Sequence, residues 1–321
     1  MNLVEECNTN MGDRTWKALS PADNGRFPLM AAPSSAQPET HEPGLDLFWS
    51  LGGSLLHLHG EGGETHSRSA VGAWLKRTGL RSEFALCSQI CHDDWDENNQ
   101  RPVVRFTPDG VAADIEEDLC LIGCSELDIV YLDDHAELPF EPVVEALAAE
   151  ISAQRIRHVG VRNWRPDRLK ALCAYARNEL PRGVQAMITT ELGLPKASSP
   201  LWPEYVPFDD EITEIVRNEG IVVYAHAGDN AAGQCLFGDE DAFARLRAHW
   251  VERWQMSANE QIVQDVIARA ARFQTTPRAV LLTWMLSRPF SVVPIVGLPE
   301  LLAHHKDYRF AVEHSAAIWE A

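Results

Sequence analysis

Cysteine is sparse and irregular in this chain: seven residues, an odd number, with no Cys-x-x-Cys spacing. That excludes a disulfide framework and predicts reduced thiols in a cytoplasmic protein. Long apolar runs are missing too, the longest being stretches such as Ala279–Leu286 and Ile221–Ala225, far short of a bilayer span. The opening MNLVEECNTN carries two acids and no apolar core, so no secretory signal is expected. Positive charge is scarce: 28 Lys and Arg stand against 47 Asp and Glu, a net charge of −19. A surface this acidic repels nucleic-acid phosphate and anionic membrane, so neither is expected as a partner. The expected partner is a small-molecule substrate. What is present is ample core material, with 45% hydrophobic and 23% charged residues over 321 positions. That length suits a single α/β barrel.

Residues 1–25 are polar and aperiodic and are expected to form a loose strap. The segment 31–44, AAPSSAQPETHEPG, reads as a loop. From Leu45 onward, short apolar runs alternate with helical patterns, all within one domain over 26–321. The predicted strands are 54–58, 84–90, 127–132, 156–161, 184–189, 221–225 and 291–296, each apolar on both faces along most of its length. Helical patterns lie between them, several opening with Thr-Pro or Pro and an acid, as at Thr107-Pro108-Asp109 and Thr276-Pro277. Repeated strand–helix units without a break in composition predict a (β/α)8 TIM barrel, whose sites sit where strands end. The stretch 227–260 exceeds what a βα connection needs and is expected to act as a lid.

Several segments, in order, resemble the aldo-keto reductase superfamily. Residues 52–75, GGSLLHLHGEGGETHSRSAVGAWL, are similar to its Gly–strand–Asp-Thr-Ala–Tyr-Gly–helix segment. Residues 114–135, DIEEDLCLIGCSELDIVYLDDH, resemble the helix and strand that end in its catalytic His, and 154–164, QRIRHVGVRNW, its Gly-Val-Ser-Asn strand. The strand GIVVYAHAG at 220–228 and the helix TPRAVLLTWML at 276–286 follow in the same order. The resemblance covers residues 26–312 and implies an aldo-keto reductase-like barrel. It further implies carbonyl reduction by a nicotinamide cofactor, with a catalytic tetrad of Asp, Tyr, Lys and His.

Carried over position by position, that tetrad reads as degenerate: Asp becomes His57, Tyr becomes Gly62, Lys becomes Gln89, and the His is kept as His135. Asn163 and Gln185 match the residues that hold the nicotinamide carboxamide, while the Ser beside that Asn is Arg162 and the ring-stacking aromatic is His226. The loop implied to bind the adenosine phosphate is the shorter, acidic Val296-Gly297-Leu298-Pro299-Glu300. The expectation is therefore that hydride transfer has been lost, that no cofactor is needed, and that His57 and His135 perform non-redox acid–base chemistry on a small polar substrate. Arg162, Gln89, His59 and His226 would bind that substrate, with Arg162 clamping an anionic group or else pairing with Asp133 or Glu191. Two alternatives stand beside this: a divergent NAD(P)H oxidoreductase, in which Asn163 and Gln185 still hold NADP or NAD, and a non-catalytic binding barrel. His57-x-His59 is similar to the amidohydrolase metal motif over one tripeptide, and no metal is assigned.

Overall fold

The computed structural model describes residues 26–33, 37–58, 65–92, 94–96, 101–195, 197–200, 205–226 and 257–319. The expected strap 1–25, His59 and the lid residues 227–256 lie outside the described residues. The core is a closed parallel barrel of β1 (Met30–Ala32), β2 (Leu55–Leu58), β3 (Ala85–Gln89), β6 (Leu127–Asp133), β7 (Ile156–Arg162), β8 (Val184–Thr189), β9 (Val222–His226) and β10 (Val292–Gly297). β4 (Asp94–Asp96) and β5 (Arg101–Val103) form a separate antiparallel ribbon inserted after β3. Helices ring the barrel: α1 (His41–Ser50), α2 (Thr65–Thr78), α3 (Pro108–Ile122), α4 (Glu141–Ser152), α5 (Pro166–Glu179), α6 (Asp210–Glu219), α7 (Ser257–Arg272), α8 (Pro277–Leu286) and α9 (Leu298–Trp319). The (β/α)8 fold expected from the sequence is therefore the fold observed.

The eighth strand is the one that the apolar pattern did not predict. β1 lies at the head of the segment read as a loop, and its three residues are too few to show a period. It nevertheless closes the barrel, pairing Met30 with Ile295 on one side and Ala31 with Leu56 on the other. The rest of that segment differs as well, since α1 begins at His41 with Pro43 in its first turn, where a missing N–H costs nothing. The helix starts at Thr107 and Thr276 form as expected. Thr107 Oγ1 accepts from Gly110 N–H at 3.0 Å, and Thr276 Oγ1 from Ala279 N–H at 3.1 Å.

Strand side chains alternate between two apolar populations. The larger lies between barrel and helices and includes Leu56, Leu86, Val130, Val161 and Val223. The smaller fills the barrel interior with Met30, Leu55, Cys87, Ile129, Tyr131, Ile188, Tyr224 and Ile295. Gly160 makes room for the largest of these: a Cβ there would sit 2.9 Å from Ala186 Cβ and 3.2 Å from Tyr131 Cβ. A side chain at this position of β7 would press on the base of Tyr131.

Candidate functional site at the barrel mouth

On four neighbouring strands the interior face turns polar toward the C-terminal end. On β2, Leu55 gives way to His57; on β3, Cys87 to Gln89; on β6, Tyr131 to Asp133; on β7, Gly160 to Arg162. Register brings these together, with His57 level with Cys87, Gln89 with Tyr131, and Asp133 with Arg162. His57 is fully enclosed. Its Nε2 lies 2.8 Å from the Tyr131 hydroxyl, and the two rings stack with centroids 5.5 Å apart. The His226 ring, half-buried at the end of β9, meets His57 edge to face at 5.5 Å.

A second group surrounds Asp133. Arg162 donates to it through Nε and Nη2, both at 2.7 Å, a bidentate pair, and Gln89 Nε2 donates to it at 3.3 Å. The Arg162 guanidinium also lies over the Tyr131 ring, 5.7 Å from its centroid, and so links the two groups. Among the described residues the buried Gln89 Oε1 has no hydrogen-bond partner. Asn163, next after Arg162, adopts φ 58° and lines a small recess with Trp164, Ile188, Thr189 and Phe208. Among the described residues no three His, Cys, Asp or Glu side chains are placed to hold a metal ion.

The expected site residues separate. The structure unites His57 with His226, and Arg162 with Gln89 through Asp133. His135 lies two residues beyond the end of β6, in the following loop, with its ring 5.4 Å from Phe106. That loop is held by Arg168, which donates to Asp134 Oδ1 at 2.7 Å and to the carbonyls of His135 and Leu138 at 3.2 and 3.0 Å. Gln185 is the second residue of β8, at the end of the strand away from the mouth. A register shift occurs there between the β7 and β8 strands, and its Oε1 meets His158 Nδ1 at 2.5 Å. Burial lowers the His158 pKa from its ordinary value, and the Gln185 bond only partly opposes this. Tyr131 is the residue that sequence reading overlooked. Its strand is apolar on both faces, and its partner lies 74 positions away.

The chain matches the profile of the Aldo/keto reductase family over residues 63–307. The chain belongs to this family. Aldo-keto reductase yakc of Schizosaccharomyces pombe, named for NADP(+), is 23% identical over 244 residues, covering 72% of this chain and 66% of its own length. Probable aldo-keto reductase 1 of Glycine max is 22% identical over 197 residues, covering 57% of this chain and 51% of its own. The chain thus spans between half and just under two thirds of these relatives. In fold it is similar to an aldo/keto reductase from Klebsiella pneumoniae, solved in complex with NADP and acetate. The TM-score is 0.62 at 15% identity, covering 88% of this chain and 86% of that one.

Family membership corrects two expectations. The barrel was expected to have abandoned hydride transfer for non-redox chemistry, and to need no cofactor. An aldo/keto reductase match over 245 residues, 63 through 307, with a relative named for NADP(+), supports the oxidoreductase alternative instead. The physical reason is a division of labour. Hydride chemistry in such enzymes belongs to the nicotinamide, whereas the tetrad concerns proton supply, so a reading of the tetrad positions does not bear on the reductant. Among the described residues no helix is long and apolar enough to cross a membrane.

Proposed function

We propose that this chain is an NADP(H)-dependent oxidoreductase acting on a small carbonyl–alcohol pair, with a tetrad that departs from the family's usual one. Membership of the aldo/keto reductase family, with a polar cluster at the strand ends of the barrel, carries this reading. When bound, the cofactor supplies a hydride to the carbonyl carbon. The residues present fit such a ligand in two places. The orphaned Gln89 Oε1, buried at the mouth, calls for a donor that a ligand O–H or N–H would provide. Asn163 has its backbone turned at the end of β7 and stands beside Thr189, where an amide could be held. His226, half-buried at the end of β9, would lie beside such a ligand.

The start of α9 contributes differently. A Cβ on Gly297 would fall 2.0 Å from Glu300 Oε2, so the Glu300 carboxylate lies over Gly297 at the helix N-terminus. That end of a helix attracts anions. The chain's own carboxylate holds the place, so a cofactor phosphate could dock there only by displacing it.

Asp133 and Arg162 neutralise each other, and their bidentate pair fixes the rim against which a substrate rests. The alkoxide formed on reduction needs one proton, and the imidazoles of the mouth supply it in place of the family's Tyr. Buried thiols suit a reducing, cytoplasmic setting: burial pushes both Cys91 and Cys173 up to about 12, so they stay protonated and unreactive.

The test is direct titration of the purified protein with NADPH, followed by nicotinamide fluorescence. A panel of aldehydes and ketones is then assayed for NADPH oxidation. Saturable binding with carbonyl-dependent oxidation is expected. Absence of binding at millimolar NADPH overturns the reading.

A further inference from the structure

Gln89 is the last residue of β3, on the inward side of the barrel two positions after the interior Cys87. It is almost fully buried, and its amide is held in one sense. Nε2 lies 3.3 Å from Asp133 Oδ2, and a carboxylate only accepts, so the NH2 end of the amide faces Asp133. Asp133 is itself set by the bidentate Arg162. The other end of the amide, Oε1, is buried, and among the described residues nothing donates to it. An unmet buried carbonyl oxygen costs more than an ordinary hydrogen bond contributes, so it calls for a ligand that completes it. The places that suit a cofactor amide, Asn163 and Thr189, lie on the β7–β8 side of the mouth. β6 separates that side from β3 in the barrel order. Gln89 belongs instead to the sector of His57 and Asp133, on β2 and β6, where a reacting carbonyl would rest. The donor is then one that the substrate carries.

We propose that Gln89 is a specificity-determining residue of the site, and that the substrate is a hydroxy-carbonyl compound whose hydroxyl donates to Gln89 Oε1. Gln89 accepts this hydrogen bond and takes no proton. The fixed amide makes the contact one-sided. A hydroxyl satisfies Oε1, whereas an ether oxygen in the same place meets it with no hydrogen between them. A methyl group there leaves Oε1 dry and unpaired. A freely turning glutamine would accept hydroxyl and ether alike, by presenting Nε2 to the ether, and the bond to Asp133 removes that option. A site built around a buried acceptor rejects the analogue that lacks the donor far more strongly than an apolar pocket rejects a missing methylene.

This rests on the oxidoreductase reading, and its test separates the two. Hydroxyacetone, methoxyacetone and butanone are compared as substrates with NADPH. The first two share the oxygen beside the carbonyl and differ in whether it carries a hydrogen. kcat/KM for hydroxyacetone is expected to exceed the other two by about tenfold or more. Gln89→Met keeps the length of the side chain without its polar end, and is expected to bring the three values together. The wild-type comparison decides whether or not the variant folds. Side-chain amide signals in 1H–15N spectra of the cofactor-free protein report binding without turnover. Hydroxyacetone is expected to shift the Gln89 pair saturably, and butanone to leave it in place. Equal kcat/KM values for the three ketones overturn the proposal, since water then serves Oε1. So does a preference that Gln89→Met retains, or an effect of that variant confined to NADPH affinity, which gives the donor to the cofactor. If no carbonyl consumes NADPH while hydroxyacetone alone shifts Gln89, the oxidoreductase reading falls and the hydroxyl contact stands. With neither turnover nor shift, both fall.

Discussion

Arg162 was the residue with the most open reading in the sequence, since a substrate anion and an ion pair were equally reasonable partners. Asp133 accepts from its Nε and Nη2, so the ion pair is formed in the structure. Its guanidinium is almost fully buried while Asp133 keeps about a quarter of its surface exposed (5% and 28%), so one partner pays more desolvation than the other. Arg162→Met strands the Asp133 carboxylate beside Gln89, and chemical denaturation is expected to show a loss of about 2 kcal/mol or more. Adding Asp133→Leu removes the stranded charge and should recover most of that loss. A double variant as unstable as the single one argues against the ion pair as the cause. Alternation along β2 and β3 was enough to place His57 and Gln89 at the mouth, because period two is a local property. Tyr131 was not legible, since its contact is with a partner in β2, 74 positions away. Asp133 was legible at the rim of β6, but that His135 falls in the following loop was not, since it turns on where the strand stops.

Elements were legible in proportion to their length. β6 and β7, with seven residues each, showed as apolar runs, and the capped helices showed through Thr-Pro starts. β1 has three residues and lies in the stretch read as a loop, and the β4–β5 ribbon, with three in each arm, was not among the predicted strands. At the opposite end of the barrel, His158 on β7 supports the start of β8 through Gln185, and its pKa is lowered chiefly by burial. The neutral ring is the one that the folded state accepts. The contribution is therefore complete above the ordinary value of 6.5 and is lost as pH falls below it, toward the lower folded value. Melting temperature is expected to decline from about pH 6.5 downward. His158→Gln, which cannot charge, should flatten that part of the curve. An identical slope in the variant assigns the acid sensitivity elsewhere.

At the scale of the whole molecule, a nicotinamide cofactor that binds only the folded barrel stabilises all of it at once. With micromolar affinity, millimolar NADPH adds roughly 4 kcal/mol. The melting temperature is then expected to rise by several degrees in a single transition. An unmoved melting temperature at that concentration removes micromolar affinity from consideration, and two separate transitions speak against residues 26–321 as one unit. Barrel closure carries a different consequence, one of timing. Met30 near the beginning of the described chain is hydrogen-bonded in register with Ile295 near its end. A ribosome delivers β2 through β9 long before β10 exists, so β1 waits on an open sheet with only its neighbour β2 for company. Through most of synthesis the nascent barrel exposes two unpaired strand edges, and these are sealed only when β10 emerges and the first strand is clasped from both sides.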